Sequence, residues 1–361
     1  MWFCLGTGRF DEETQRRGAN TDAVVGAQGM NILITGGAGY VGAICAEELV
    51  RAGHRVVVLD DLSTGHRKAV PAGAFFAEAD ITDRPKIQRI IRRHRVDSVM
   101  HFAGATLVEK SMTEPQYYFQ NNVQKGLMLL ETLLDQGVKH FIFSSTAAVY
   151  GDPVSTPIRE HHPTQPVNAY GESKLMFEKI LRWYHRAYRL NCVALRYFNA
   201  AGATTRLGED HRPETHLLPR LLEVAVSSGR PFEIYGDDYS TPDGTCIRDF
   251  VHVVDIARAH ILAMRALPKL GFAIYNVGHG RGYSIRQVLK VVEEVTGRKL
   301  TVRVGPRRPG DPAVLLASPE KLRRELKWKP RCSDLHTIVK SAWTWKLSHP
   351  NGYRGNSART G

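Results

Sequence analysis

A Ser144-Ser145-Thr146 run is followed downstream by Tyr170 and, four residues later, Lys174. Tyrosine is an unusual base, because a free pKa of about 10 leaves almost none of it ionised at neutral pH. The spacing of four sets Lys174 above Tyr170 on one helix face, where an ammonium at roughly 4 to 5 Å contributes about 3 to 4 kcal/mol at an effective dielectric of ~20. The pair therefore predicts a phenolate base assisted by lysine, with Thr146 offering a hydroxyl to the oxygen that is deprotonated.

A surface tyrosine and a solvated lysine at the same spacing would carry no information, so the helix that positions them decides between the two readings. Phe177, Leu181, Tyr184 and Tyr188 form an apolar or aromatic stripe that, extended backwards, lands on Lys174 and Tyr170. A lysine in line with a buried stripe needs a partner or a ligand. Asn168 is placed to cap this helix, with Glu172 in its first turn.

A second motif lies upstream. Asn31-Ile-Leu-Ile-Thr35 reads as a buried strand, Ile44–Leu49 as a helix, and between them runs Gly36-x-x-Gly39-Tyr40-Val41-Gly42. Strand, glycine turn and helix in that order suit a dinucleotide, since glycines let the backbone approach a pyrophosphate and the helix start offers unpaired N–H groups. The next strand, Arg55–Leu59, ends at Asp60-Asp61, where a carboxylate accepts from a ribose and repels a 2′-phosphate; this favours NAD over NADP. Two alternatives stay open: Asp60 as a simple turn cap, and Arg67 with Lys68 as partners of a phosphate. With an oxidised nicotinamide beside it, the tyrosine would ionise more readily still.

Strand ends recur at Asp80-Ile81, at Ser98–Phe102 followed by Ala103-Gly104, at Phe141–Ser144 and at Cys192–Arg196, with helical stretches at Lys86–His94 and Tyr117–Gln136. This alternation predicts an α/β, Rossmann-like, doubly wound parallel sheet. A smaller α/β substrate lobe follows, with helices at Leu217–Val226, Ile256–Leu267 and Ile285–Val295 and a strand at Ala273–Val277. The expected division is 1–29 as an extension, 30–199 as the NAD-binding part, 200–348 as the second lobe with the chain crossing back between lobes, and 349–361 as a tail. Residues 1–29 are expected to be dispensable, with Met30 as a possible true start.

His101-Phe-Ala-Gly104, Phe143 through Asp152, Leu195-Arg-Tyr-Phe-Asn199, Thr245 through Val254 and Arg307-Arg-Pro-Gly-Asp311 complete a set of ordered motifs from about Met30 to Tyr353. With the tyrosine, lysine and glycine turn, they give the chain a resemblance to the extended short-chain dehydrogenases/reductases and, among them, to the UDP-glucose 4-epimerase family. The resemblance implies that Thr146, Tyr170 and Lys174 are the catalytic triplet. It implies that Gly36, Gly39, Tyr40, Val41, Gly42, Asp60, Asp61, Asp80, Ile81, Phe102, Ala103, Gly104, Asn121 and Phe198, together with that triplet, line an NAD site. A UDP-sugar would meet Thr146 and Tyr170 and be held by Asn199, His216, Leu217, Arg248, Phe250, Arg308 and Asp311.

Three positions depart from the family pattern. Thr106 stands where some relatives carry a lysine, and Phe250 where many have a tyrosine near the uracil. Leu315 falls where the family limits room around the sugar 2-substituent; it is neither the bulky nor the small choice, so UDP-N-acetylhexosamines and UDP-pentoses remain alternative substrates. Ala147 and Ala148 follow Thr146 where dehydrating or decarboxylating relatives carry carboxylates, which favours simple epimerisation. A catalytically silent NAD-binding regulator is the remaining alternative, and such proteins usually lack the tyrosine or lysine retained here. The resemblance further implies galactose metabolism and a homodimer formed through Tyr117–Gln136 or the Tyr170 helix.

The 361 residues, 43% of them hydrophobic, suffice for a sizeable core. A net charge of +13 is spread along the chain without a basic tract, so no nucleic-acid partner is expected, and no segment predicts a membrane span. Cys4, Cys45, Cys192, Cys246 and Cys332 show neither pairing nor metal spacing and fit cytoplasmic thiols; His161-His162 beside Pro163 reads as a loop, and no metal is expected.

Overall fold

The computed structural model describes residues 29–227, 231–308 and 310–354. The expectations for the extension before residue 29 and for the tail after 354 lie outside the described residues.

Short apolar segments build the first layer: β1 (Asn31–Thr35), β2 (Arg55–Asp60), β3 (Phe75–Glu78), β4 (Ser98–His101), β5 (His140–Thr146) and β6 (Asn191–Tyr197). Between them run α1 (Tyr40–Arg51), α2 (Arg84–His94), α3 (Val108–Thr113), α4 (Pro115–Phe119), α5 (Lys125–Asp135) and α6 (Ala169–Tyr188). Side chains alternate across each strand, so Ile32 and Ile34 pack with Ile44 and Leu49 of α1 on one face. On the other face Leu33 packs with Ile87 of α2, Leu129 of α5 and Phe177 of α6. Burying both faces requires helices on both sides, which is why the strands read as continuous apolar runs.

Further on come β7 (Asn199–Ala201), α7 (Leu217–Val226), β8 (Phe232–Tyr235), β9 (Ile247–His252) and α8 (Val253–Leu270). They are followed by β10 (Phe272–Val277), β11 (Gly282–Ser284), α9 (Ile285–Thr296), β12 (Val302–Gly305), β13 (Val314–Leu315), α10 (Glu320–Leu326) and α11 (Leu335–Ser348). The main sheet is parallel with order β10-β6-β5-β4-β1-β2-β3. The strand order reverses between β1 and β4, so their carboxyl ends open a crevice. β10, which the sequence reading grouped with the second lobe, is instead the edge strand beside β6, and Ile256 and Met264 of α8 join the core of α1. Two small sheets and a separate core of Leu221, Phe232, Val288 and Ile338 make up the rest.

The Tyr117–Gln136 segment is not one regular helix. A π turn, Gln120–Gln124, joins α4 to α5 and inserts an extra residue there. α6 begins at Asn168, whose side chain accepts from the Gly171 N–H at 2.8 Å. The apolar stripe of α6 is buried through Leu181 and partly covered at Tyr184, but Tyr188 is exposed.

Candidate active site

The carboxyl ends of β1 to β6 line a cleft of about 770 Å³. Every site residue expected from the sequence borders it except Leu315. That side chain packs instead against the cluster of Ala147, Tyr150, Leu175 and Phe198, and its backbone pairs with Arg248 through β13 and β9.

Gly36 turns with φ +70°, and a Cβ there would sit 2.4 Å from the Ala103 nitrogen, so the β1 turn closes on the β4 turn only with glycine. The start of α1 has no side-chain cap at Gly39 and no acidic residue in its first turn, which leaves its N–H groups for an anion. Asp60 accepts from the Ala38 and Leu62 N–H groups, each at 2.9 Å, so it caps the turn and also fixes the glycine loop while bordering the cleft. Arg67 lies over the Phe76 ring at 4.3 Å, and neither it nor Lys68 borders the cleft, so these two offer a 2′-phosphate no cation. These features fit NAD.

Thr146, at the end of β5, lines the cleft beside Tyr170 and accepts from the Ala148 N–H at 3.1 Å. Lys174 is 3% exposed. Its ammonium donates to the Ser144 carbonyl at 3.0 Å and faces the Phe143 ring at 4.8 Å. Gly104 permits this, because a Cβ there would come within 3.3 Å of the Lys174 Nζ.

The sequence reading expected Lys174 to pull the Tyr170 pKa down directly. Instead, burial raises the Tyr170 hydroxyl above its ordinary range and the Thr146 side chain opposes that rise only in part. Burial also lowers Lys174 to about 8, with Glu178 working in the other direction. The lysine spends its charge on a carbonyl and a ring face rather than on the phenol.

Several functional residues went unnoticed in the sequence. Buried Glu178 continues the Tyr170–Lys174 stripe by one further turn. It accepts from Arg196 Nε at 2.9 Å and Nη2 at 2.6 Å and from the Ser145 hydroxyl. Arg196 also donates to the Tyr150 hydroxyl at 2.8 Å, and Tyr150 to Asn276 at 2.7 Å. Asn122, brought inward by the π turn, bonds both backbone groups of Ala105 and the Ser173 hydroxyl, beside the cleft-lining Asn121. Lys125 borders the cleft and pairs with Asp80 at 2.5 Å, bringing a lysine to the cofactor side although Thr106 does not supply one. A repeated i, i+4 spacing could have flagged Glu178; nothing local flagged Arg196 as its partner.

On the second lobe, Arg248 meets Asp311 at 3.4 Å and the Pro312 carbonyl at 2.7 Å, and Arg308 lies 4.5 Å over the Tyr235 ring. Asn199 donates to the Asp249 carbonyl at 2.8 Å and pairs in register with Phe250. His216 and Leu217 begin α7 at the cleft rim. His162, by contrast, is a loop residue, accepting from the Val154 N–H at 3.1 Å.

Residues 32–278 match the NAD dependent epimerase/dehydratase family. The chain belongs to that family. A UDP-glucose 4-epimerase of Lacticaseibacillus casei is 47% identical over 327 residues, 90% of this chain and 99% of that one. The structure of a Brucella ovis UDP-glucose 4-epimerase in complex with NAD superposes with TM-score 0.84 at 43% identity, covering 87% of this chain and 97% of that chain. One from Bifidobacterium longum in complex with NAD+ and UDP gives 0.85 at 37%, covering 90% and 100%. As a family member the protein is an NAD-dependent isomerase with a Rossmann-like fold.

Proposed function

We propose that this protein interconverts UDP-galactose and UDP-glucose by oxidising and re-reducing carbon 4 of the sugar. The observation that carries the reading is the convergence of Thr146, Tyr170 and Lys174 on a glycine-turn cleft whose neighbouring Ala147 and Ala148 can move no proton. Bound NAD supplies the hydride acceptor and donor for carbon 4. Tyr170 takes the proton of the 4-hydroxyl, and Thr146 holds that oxygen. Lys174, nearly buried and cationic over much of the neutral range, stabilises the phenolate once a ligand draws it from the Ser144 carbonyl. Arg248 and Arg308 hold the diphosphate and nucleotide, and Phe250 packs near the base. Most of the binding free energy then lies away from the reacting ring, which is free to present its other face to the returning hydride.

In this reading the main sheet, with the returning α8 and β10, holds NAD, and the small sheets hold the UDP-sugar. The protein acts as a homodimer: Tyr117, Met128, Met176 and Trp183 expose apolar side chains on α4, α5 and α6. We also place it in the cytoplasm. Cys45, Cys192, Cys246 and Cys332 are all free thiols, which suits a reducing compartment. No helix among the described residues is long and apolar enough to cross a membrane.

Incubation with UDP-galactose, UDP-N-acetylgalactosamine and a UDP-pentose separately tests the function and the substrate together. UDP-glucose formation without net NADH release is expected. An NAD-loaded protein that converts none of the three would favour the silent regulator.

A further inference from the structure

The segment between Gly208 and α7 gathers three metal-ligating groups at the rim of the cleft. One ring nitrogen of His211, one of His216 and a carboxylate oxygen of Glu209 all lie within 4.8 Å of one another. We infer that Glu209, His211 and His216 form a binding site for a borderline divalent ion of the Zn²⁺ class at the rim of the sugar cleft.

Two imidazoles and a carboxylate with a further position open to solvent or ligand is a donor set that zinc accepts. Ligand atoms on a tetrahedron of ~2.0 to 2.2 Å bonds stand about 3.4 Å apart; the Glu209 carboxylate and the His211 Nδ1 are in direct contact and would part to admit an ion, while no pair of the three has to close by much more than an ångström. His216, about half exposed, has the freedom to swing by that much.

The surroundings are built as those of a metal site are. Glu214 accepts from the His216 backbone N–H at 2.7 Å and meets its Nδ1 at 2.8 Å, which orients the ring and leaves Nε2 to face an ion. A carboxylate behind the histidine is the usual outer arrangement of zinc-bound imidazoles. The loop beneath is braced from elsewhere in the chain. Asp210 accepts from the Tyr353 N–H at 2.9 Å and pairs with His66 at 3.6 Å and Arg212 at 3.2 Å, while the Tyr353 hydroxyl accepts from the Gly208 N–H at 3.1 Å. A small cavity of about 50 Å³ opens between Tyr40, Glu209, His211, Glu214 and His216. A single water needs only ~10 to 15 Å³, so an ion and its remaining waters fit.

The expectation of no metal rested on the five cysteines and on His161-His162. Glu209, His211 and His216 carry no familiar zinc spacing; their meeting depends on the C-terminal brace. The inference is independent of any role of His216 toward the nucleotide sugar, since ion binding is measured without sugar.

The full-length protein, purified with its NAD and dialysed against a chelator, is titrated with ZnCl₂ by calorimetry and with Co²⁺ by visible absorption. One ion per chain is expected, with at least tenfold weaker binding in His211→Gln and in His216→Gln, about tenfold weaker binding in Glu214→Gln, and no change in Cys332→Ser. The inference is overturned by absence of stoichiometric binding, by unchanged affinity in His216→Gln, or by thiolate charge-transfer bands with Co²⁺. Circular dichroism checks each fold; if His211→Gln unfolds, the exposed His216→Gln variant decides alone.

Discussion

The Lys174 ammonium donates to the Ser144 carbonyl at 3.0 Å, two residues before Thr146 on the same strand. The lysine of the helix is thereby tied to the strand that carries the threonine, so the groups proposed for the proton transfer are held together by one strand and one helix. Burial raises the Tyr170 hydroxyl and lowers Lys174, so in the unliganded protein each is biased toward its neutral form.

Tyr170→Phe removes only the acid/base oxygen. Turnover should fall by roughly 10²- to 10⁴-fold while NAD content, read from the absorbance of the denatured protein, stays at the wild-type level.

Lys174→Met should abolish turnover yet stabilise the unliganded protein near pH 7. The folded protein releases the Lys174 proton near pH 8 and the unfolded chain near ~10.4, so wild-type stability from this group rises as pH increases through that window. The advantage of the variant, about 1 to 2 kcal/mol at pH 7 after the Ser144 carbonyl loses its partner, should therefore shrink toward pH 10. Urea unfolding at both pH values measures it.

Glu178 and Arg196 are 2% and 4% exposed in their side chains, so breaking the pair leaves a buried, uncompensated guanidinium. Glu178→Gln should cost about 3 to 5 kcal/mol in chemical denaturation. It also removes a charge that favours protonated Lys174, so the alkaline limb of kcat should move to lower pH.

Asp60→Ala should release the glycine loop and lower the NAD retained through purification, because two backbone N–H groups lose their acceptor. Supplying NADP should not restore activity, with Arg67 engaged on Phe76.

Trp183 is 65% exposed on α6. Trp183→Glu, combined with Met128→Glu on α5, should convert a dimer to monomers in analytical ultracentrifugation, while circular dichroism remains that of the folded protein.

The parts of this site legible in the sequence were those set by short-range chemistry. The glycine turn, the Asn168 cap and the Tyr170–Lys174 spacing each follow from neighbours a few residues away. What escaped notice depends on distant partners. Lys174 meets the Ser144 carbonyl, Glu178 meets Arg196, and Asn122 turns inward only because a π turn shifts its register. β10 was misgrouped because a buried parallel strand reads the same in either lobe, and only the order of pairing assigns it to β6. The Tyr170–Lys174 spacing gives proximity along a helix but says nothing of burial, which raises the tyrosine in the unliganded protein, or of competing acceptors such as the Ser144 carbonyl.

The central claim is that Tyr170 deprotonates a sugar 4-hydroxyl while the hydrogen on carbon 4 leaves and returns within one site. UDP-galactose carrying deuterium at carbon 4 tests it in water. The account predicts UDP-glucose that keeps the deuterium at carbon 4; loss of the label to solvent, or its appearance in released NADH, would contradict it.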